Sequence, residues 1–226
     1  MPHQRKTRTK FIDGAEPRHI RRTRQIRLEV AAEAARILAT EGQQNYHAAK
    51  KKAAERIGVS ERLALPSNLE VKDALSIYQA LYGGPAHRDN IDNLRHIALQ
   101  AMQLLEVFQP RLVGSVLDGT ANAHSRIALH VFADSVESVV FHFLERNLPF
   151  GQEQRQIRWF NGEHRIVPIV VFELEEAEIE LTVFDLLHLR QSPPSPIDGR
   201  PQHRADFAEV EYLLADKKGA GYIYRG

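Results

Sequence analysis

The chain contains no cysteine, which excludes disulfides, thiolate zinc sites, iron–sulfur ligation and a cysteine nucleophile. It has no apolar run near the roughly 20 residues that a membrane helix needs. The best candidate, IVPIVVFEL, is cut by Pro168 and ended by Glu173. The first residues, MPHQRKTRTKF, are basic but lack the apolar core of a secretory signal. These absences predict a soluble, cytoplasmic protein. The eleven histidines show no HExxH-like spacing, so no metal site is predicted from them. What is present, 226 residues of which 43% are hydrophobic and 26% charged, suffices for one core of ordinary size and an extra module.

The net charge of +1 hides an asymmetry, because residues 1–27 carry nine basic side chains against Asp13 and Glu16, or +7, leaving −6 for the rest. A basic arm on an acidic body fits contact with nucleic acid, and equally a solvated tail. The triplet Lys50, Lys51 and Lys52 extends the same reading as a phosphate-contact patch or as a solvated face.

Periodicity makes the first half helical. Ile26, Val30, Ala34 and Ile37/Leu38 recur at steps of three or four along Thr23–Glu41. Tyr46–Ile57 follows and stops at Gly58. A third helix opens with the capping box Ser67-x-x-Glu70 and ends at Gly83-Gly84. The fourth runs from Asp89 to Phe108, before Pro110. Within this half AAERIGVS (Ala53–Ser60) has the order of a helix-turn-helix corner, although Pro66 follows too soon for a standard recognition helix. The second half reads as strands Arg111–Val116 and Arg126–Phe132, then a helix Ser135–Arg146 opened by Asp134-x-x-Glu137. A meander follows, of strands Gln156–Phe160, His164–Leu174 and Glu178–Phe184, with Asn161-Gly162 as a hairpin turn and Glu176-Ala177 as the next. The proline-rich Arg190–Gln202 is an extended surface segment, and Ala205–Ala215 a last amphipathic helix.

Gly114-Ser115 at a strand end, followed after ten residues by Arg126-Ile127-Ala128-Leu129 opening another strand, resembles the polymerase-beta-like nucleotidyltransferases. That superfamily pairs a hydrophobic-Gly-Ser turn with acid-hydrophobic-acid on the next strand and a third acid on a later one. VGSVLDGTA (113–121) and LHVFAD (129–134), with LPSNLEV (65–71) and SPIDGRPQHRA (195–205), are similar to a bacterial branch of it. The resemblance implies an α+β protein: a basic arm over 1–22, a helical module over 23–86, and over 87–226 a nucleotidyltransferase-like mixed sheet with flanking helices. In an active member magnesium and a nucleoside triphosphate would be the cofactors, since metal ions shield the phosphoryl oxygens from the attacking hydroxyl.

The chain departs from that pattern at the decisive place, because Arg126 and Ala128 stand where the paired acids belong. A guanidinium repels divalent ions and a methyl group offers no oxygen, so no metal is expected to be held there. Asp118, His130 and Glu180 are the remaining catalytic candidates. Glu180 matches the third acid, Asp118 lies in the Gly-Ser loop, and His130 shares a strand face with Arg126. Each also has a structural reading, above all an ion pair between Glu180 and Arg126. For ligand binding the candidates are Gly114, Ser115 and Arg126, whose amides, hydroxyl and guanidinium suit a phosphate. The expectation is a degenerate nucleotidyltransferase, or pseudoenzyme, that binds a nucleotide or other phosphate-bearing ligand. Its rival is a nucleic-acid or ribonucleoprotein binding module using residues 1–27 and the lysine helix.

Overall fold

The computed structural model describes residues 18–43, 45–60 and 65–215. Helices α1 (Arg18–Thr40), α2 (Tyr46–Ile57) and α3 (Asn68–Tyr82) bury one apolar cluster that includes Val30, Ala34, Ile37, Ala53 and Val71. Small alanines at the contacts let the helices approach closely. Asn45 caps α2 through the amides of His47 and Ala48, and Gly58 ends it at φ 75°, a left-handed conformation that glycine adopts without strain. The Ser67/Glu70 capping box forms as the sequence indicates. Glu70 also takes a 2.7 Å ion pair from Arg27, which ties α3 to α1. Ser67→Ala should therefore cost about 1 kcal/mol, read as a lower urea midpoint with an unchanged m-value.

Helix α4 (Gly84–Leu104) starts earlier than the periodicity indicates, because Pro85 sits in its first turn, where a missing N–H costs nothing. Its inner face, with Leu94, Ile97, Ala98 and Ala101, belongs to the core under the sheet. A 3-10 turn, Glu106–Phe108, leads into β1 (Arg111–Val113). The chain then turns at once into α5 (Gly114–Asp118), so the strand is shorter than the expected 111–116. After β2 (Ile127–Phe132) come α6 (Val136–Glu145), β3 (Gly151–Arg158), β4 (His164–Leu174), β5 (Ala177–Phe184), a 3-10 turn over Leu186–Leu189, and α7 (Phe207–Ala215).

The strands form one mixed five-stranded sheet in the order β1-β2-β5-β4-β3. Only β2 and β5 are parallel, with Ala128 opposite Glu180 and His130 opposite Thr182. Alternation along these two strands sends Ile127, Leu129, Val131, Ile179, Leu181 and Val183 into the core with α4, α6 and α7. The other face receives Ala128, His130 and Phe132 from β2 and Glu178, Glu180, Thr182 and Phe184 from β5. The helical module docks beside the α5–β2 loop. Lys72 pairs with Asp118 at 2.7 Å, Gln79 donates to the Thr120 carbonyl, and Asn122 donates to that of Leu38.

Four expectations need correction. Helix α1 begins at Arg18, so residues 18–22 of the arm are helical, while residues 1–17 lie outside the described residues. Position 135 rather than Asp134 precedes α6, and Ser135 makes no side-chain capping bond. Strand β3 starts five residues before the expected Gln156, since the exposed GQEQRQIR edge has no apolar alternation to show it. The turn between β4 and β5 is Glu175-Glu176, both at positive φ (48° and 65°), a geometry usually left to Asn or Gly. No helix among the described residues is long and apolar enough to cross a membrane.

Candidate functional site

Gly114 takes φ 74°, and a Cβ there would sit 3.9 Å from the Ala128 methyl, so the Gly-Ser turn lies against the strand position where the resemblance expects an acid. Below it, the Ser115 carbonyl accepts from the amides of Thr120 and Ala121. Arg95 of α4 donates to the carbonyls of Val116 and Leu117, placing a cation at the C-terminal end of α5. The His87 ring bonds the carbonyl of Gly119. The loop is thus fixed by its own backbone hydrogen bonds and by side chains of the helix behind it.

Glu180 is the most buried acid on the charged sheet face, its side chain 5% exposed. Arg155 of β3 reaches over β4 to form a fork with both carboxylate oxygens, at 2.6 and 2.7 Å. Arg126 sits 3.5 Å from the same carboxylate and also pairs with Glu178 at 2.6 Å and Glu153 at 3.2 Å. Partial burial works against the Arg126 charge, but the Glu153 hydrogen bond and the Glu178 charge outweigh it and raise its pKa. Two guanidinium groups and three carboxylates therefore interlock on this face.

This arrangement does not fit a divalent ion. Arg126 and Ala128 supply no oxygen ligand, and both oxygens of Glu180 are engaged by Arg155. Among the described residues no cluster of three or more histidine or acidic side chains is placed to hold a metal. Asp118 is not brought to Glu180: it pairs with Lys72 on the helical module. Its charge adds to burial in pushing the Tyr46 hydroxyl up to about 12.

His130 is buried, stacks edge-on against Phe184 at 4.8 Å, and accepts a 3.0 Å hydrogen bond from Arg204 Nε on its Nδ1. An arginine only donates, so the imidazole is neutral with its proton on Nε2. Burial, then the charges of Arg204 and Arg155, push its pKa from 6.5 down to about 3. Because the folded value lies below the unfolded one, the neutral ring costs nothing above pH 6.5, and stability falls as pH drops from there toward 3. Between pH 7 and pH 5 this group should remove about 2 kcal/mol. His130→Asn, which keeps an acceptor for Arg204, should flatten that part of the stability–pH curve measured by denaturant melts.

Lys50 donates to the Pro66 carbonyl and to Asn68, and Lys52 pairs with Glu41 at 2.8 Å, so both spend their charge inside the helical module. Sequence reasoning missed Glu153, Arg155, Arg111 and Arg204. For the first two the one trace was their spacing of two residues, which puts them on one face once GQEQRQIR is known to be a strand. In comparisons with known proteins, no family model matches this chain and no curated protein matches it.

Proposed function

We propose that this chain is a nucleotidyltransferase-type protein in which arginines have replaced metal ions, and that its charged sheet face binds a nucleotide or other phosphate-bearing ligand in the cytoplasm. The observation that carries the reading is the register of Ala128 beside Glu180, with the Gly114 turn against Ala128 and two arginines neutralising Glu180. Those are the strand positions at which the resemblance places a metal-binding triad. The positive charge there is now covalently part of the protein, which removes two-metal transfer while leaving guanidinium groups on the face. The Gly114-Ser115 turn offers backbone amides to a ligand, while Arg126 already shares its guanidinium among three carboxylates.

Isothermal titration with nucleoside triphosphates, with and without magnesium, tests this reading. Binding that is indifferent to magnesium is expected. Magnesium-dependent binding together with transfer of a labelled nucleotide to any acceptor overturns it, and so does a failure to bind any nucleotide.

One observation favours the second reading, contact with nucleic acid. Helix α1 opens with exposed Arg21, Arg22 and Arg24 and has no acidic residue in its first turn. A cluster of exposed cations suits contact with a polyanion. The triple variant Arg21→Gln/Arg22→Gln/Arg24→Gln should reduce the slope of log affinity against log salt by about 2–3 for single-stranded RNA. An unchanged slope removes this reading.

A further inference from the structure

We propose that Arg204 and Arg111 form an anion subsite on the charged sheet face, built to take the phosphate group of a phosphorylated ligand. The inference rests on the reading that this face binds such a ligand, and it moves the phosphate contact from Arg126 to a pair of arginines at the opposite edge.

The chain around Ala205 runs against the edge strand β1: Leu112 and Ala205 exchange both backbone hydrogen bonds, at 2.8 and 2.9 Å. Leu112 and Ala205 both belong to the core behind the sheet. Alternation therefore turns their neighbours Arg204 and Arg111 to the other face, where Arg111 stands opposite His130.

The Arg204 guanidinium is held on three sides. Its Nε donates to His130 and one terminal nitrogen donates to the His188 carbonyl at 2.6 Å. Its plane lies over Phe132 and Phe184, at 5.0 and 5.5 Å from their ring centres. The other terminal nitrogen is buried and has no protein acceptor. The residue is thus oriented by neutral groups, with one donor left over.

Neither arginine has an ion-pair partner among the described residues. Arg111 donates only to the carbonyls of Gln109 and Pro110. Asp206, the nearest acid in sequence to Arg204, accepts the Glu209 amide as the cap of α7. Arg126 and Arg155 on the same face, by contrast, are each paired to carboxylates. Burial, and after it the charge of Arg111, push the Arg204 pKa down to about 10. Two guanidinium groups close enough to repel, with no acid between them, leave positive charge that a ligand can neutralise. Both residues are half-buried, and because the spare Arg204 nitrogen is itself covered, Arg111 is the group that a ligand from solvent meets first. Arg111, engaged through one terminal nitrogen only, presents a planar fork matched to two oxygens of a phosphate, while Arg204, held over its aromatic floor, adds its charge and one spare donor in a fixed place.

The test is titration calorimetry with inorganic phosphate and, separately, ATP, on the full chain and three variants. Arg111→Gln sits on the edge strand with only backbone partners, so it leaves the fold in place if Arg204→Met disturbs it; unfolding melts check both. The expected result is a loss of at least tenfold in phosphate affinity for Arg111→Gln and Arg204→Met, with Arg126→Gln unchanged. Binding lost in Arg126→Gln but retained in the other two overturns the subsite and leaves the proposed function standing. Phosphate binding that depends on Arg111 and Arg204 without any binding of ATP supports the subsite and removes the nucleotide reading. Absence of both phosphate and ATP binding overturns the two together.

Discussion

Arg155→Met is expected to destabilise the protein by about 2–3 kcal/mol at neutral pH, and adding Glu180→Met should recover most of that loss. The asymmetry follows from burial. The Glu180 side chain is 5% exposed and that of Arg155 50% exposed. Removing the arginine strands a carboxylate under the sheet surface with only Arg126, 3.5 Å away and already divided between two other acids. Removing the carboxylate instead frees an arginine that can reach water, so Glu180→Met alone should cost less than Arg155→Met. Urea denaturation of the four members of this cycle measures the coupling directly. Strictly additive effects would show that the fork between Arg155 and Glu180 does not act as a unit.

The variant Arg126→Asp/Ala128→Asp/Arg155→Gln should acquire a divalent cation site on its charged sheet face. It would place two new carboxylates on the strand beside Glu180 and free that acid from its fork. In the absence of metal the substitutions crowd like charges, Glu153 and Glu178 among them, and the melting temperature should fall by several degrees. Manganese at about one hundred times its dissociation constant should return about 2.7 kcal/mol, seen as a rise in melting temperature that the parent does not show. A variant whose melting temperature ignores manganese would mean that positions 126, 128 and 180 do not converge as a ligand set, and the reading of a converted metal site would fall.

Much of the architecture was legible because its signals are local. Ser67-x-x-Glu70, Gly58 after α2, and Gly114 at the end of a strand each act within four residues, and the helical and strand periods identify the apolar faces. The ion pair between Arg126 and Glu180 could be anticipated from two faces of two strands. The engagement of Glu180 by Arg155 could not, because it depends on a polar edge strand reaching across β4. Arg204 was equally hidden: nothing in SPIDGRPQHRA says that Ala205 pairs with Leu112 and turns its neighbour over Phe132 and Phe184. Boundaries at Arg18 and Gly151 were missed for a simpler reason. Arginine-rich and glutamine-rich stretches bury too little apolar surface to display a period.

The parallel pairing of β2 with β5 carries a kinetic consequence. β5 lies between β2 and β4, and α6 with the β3–β4 hairpin separates it in the chain from β2. This long loop closure places sheet completion late in folding. During synthesis Arg126 emerges well ahead of Glu153, Glu178 and Glu180, so a nascent chain carries this guanidinium without its carboxylate partners until the later strands follow.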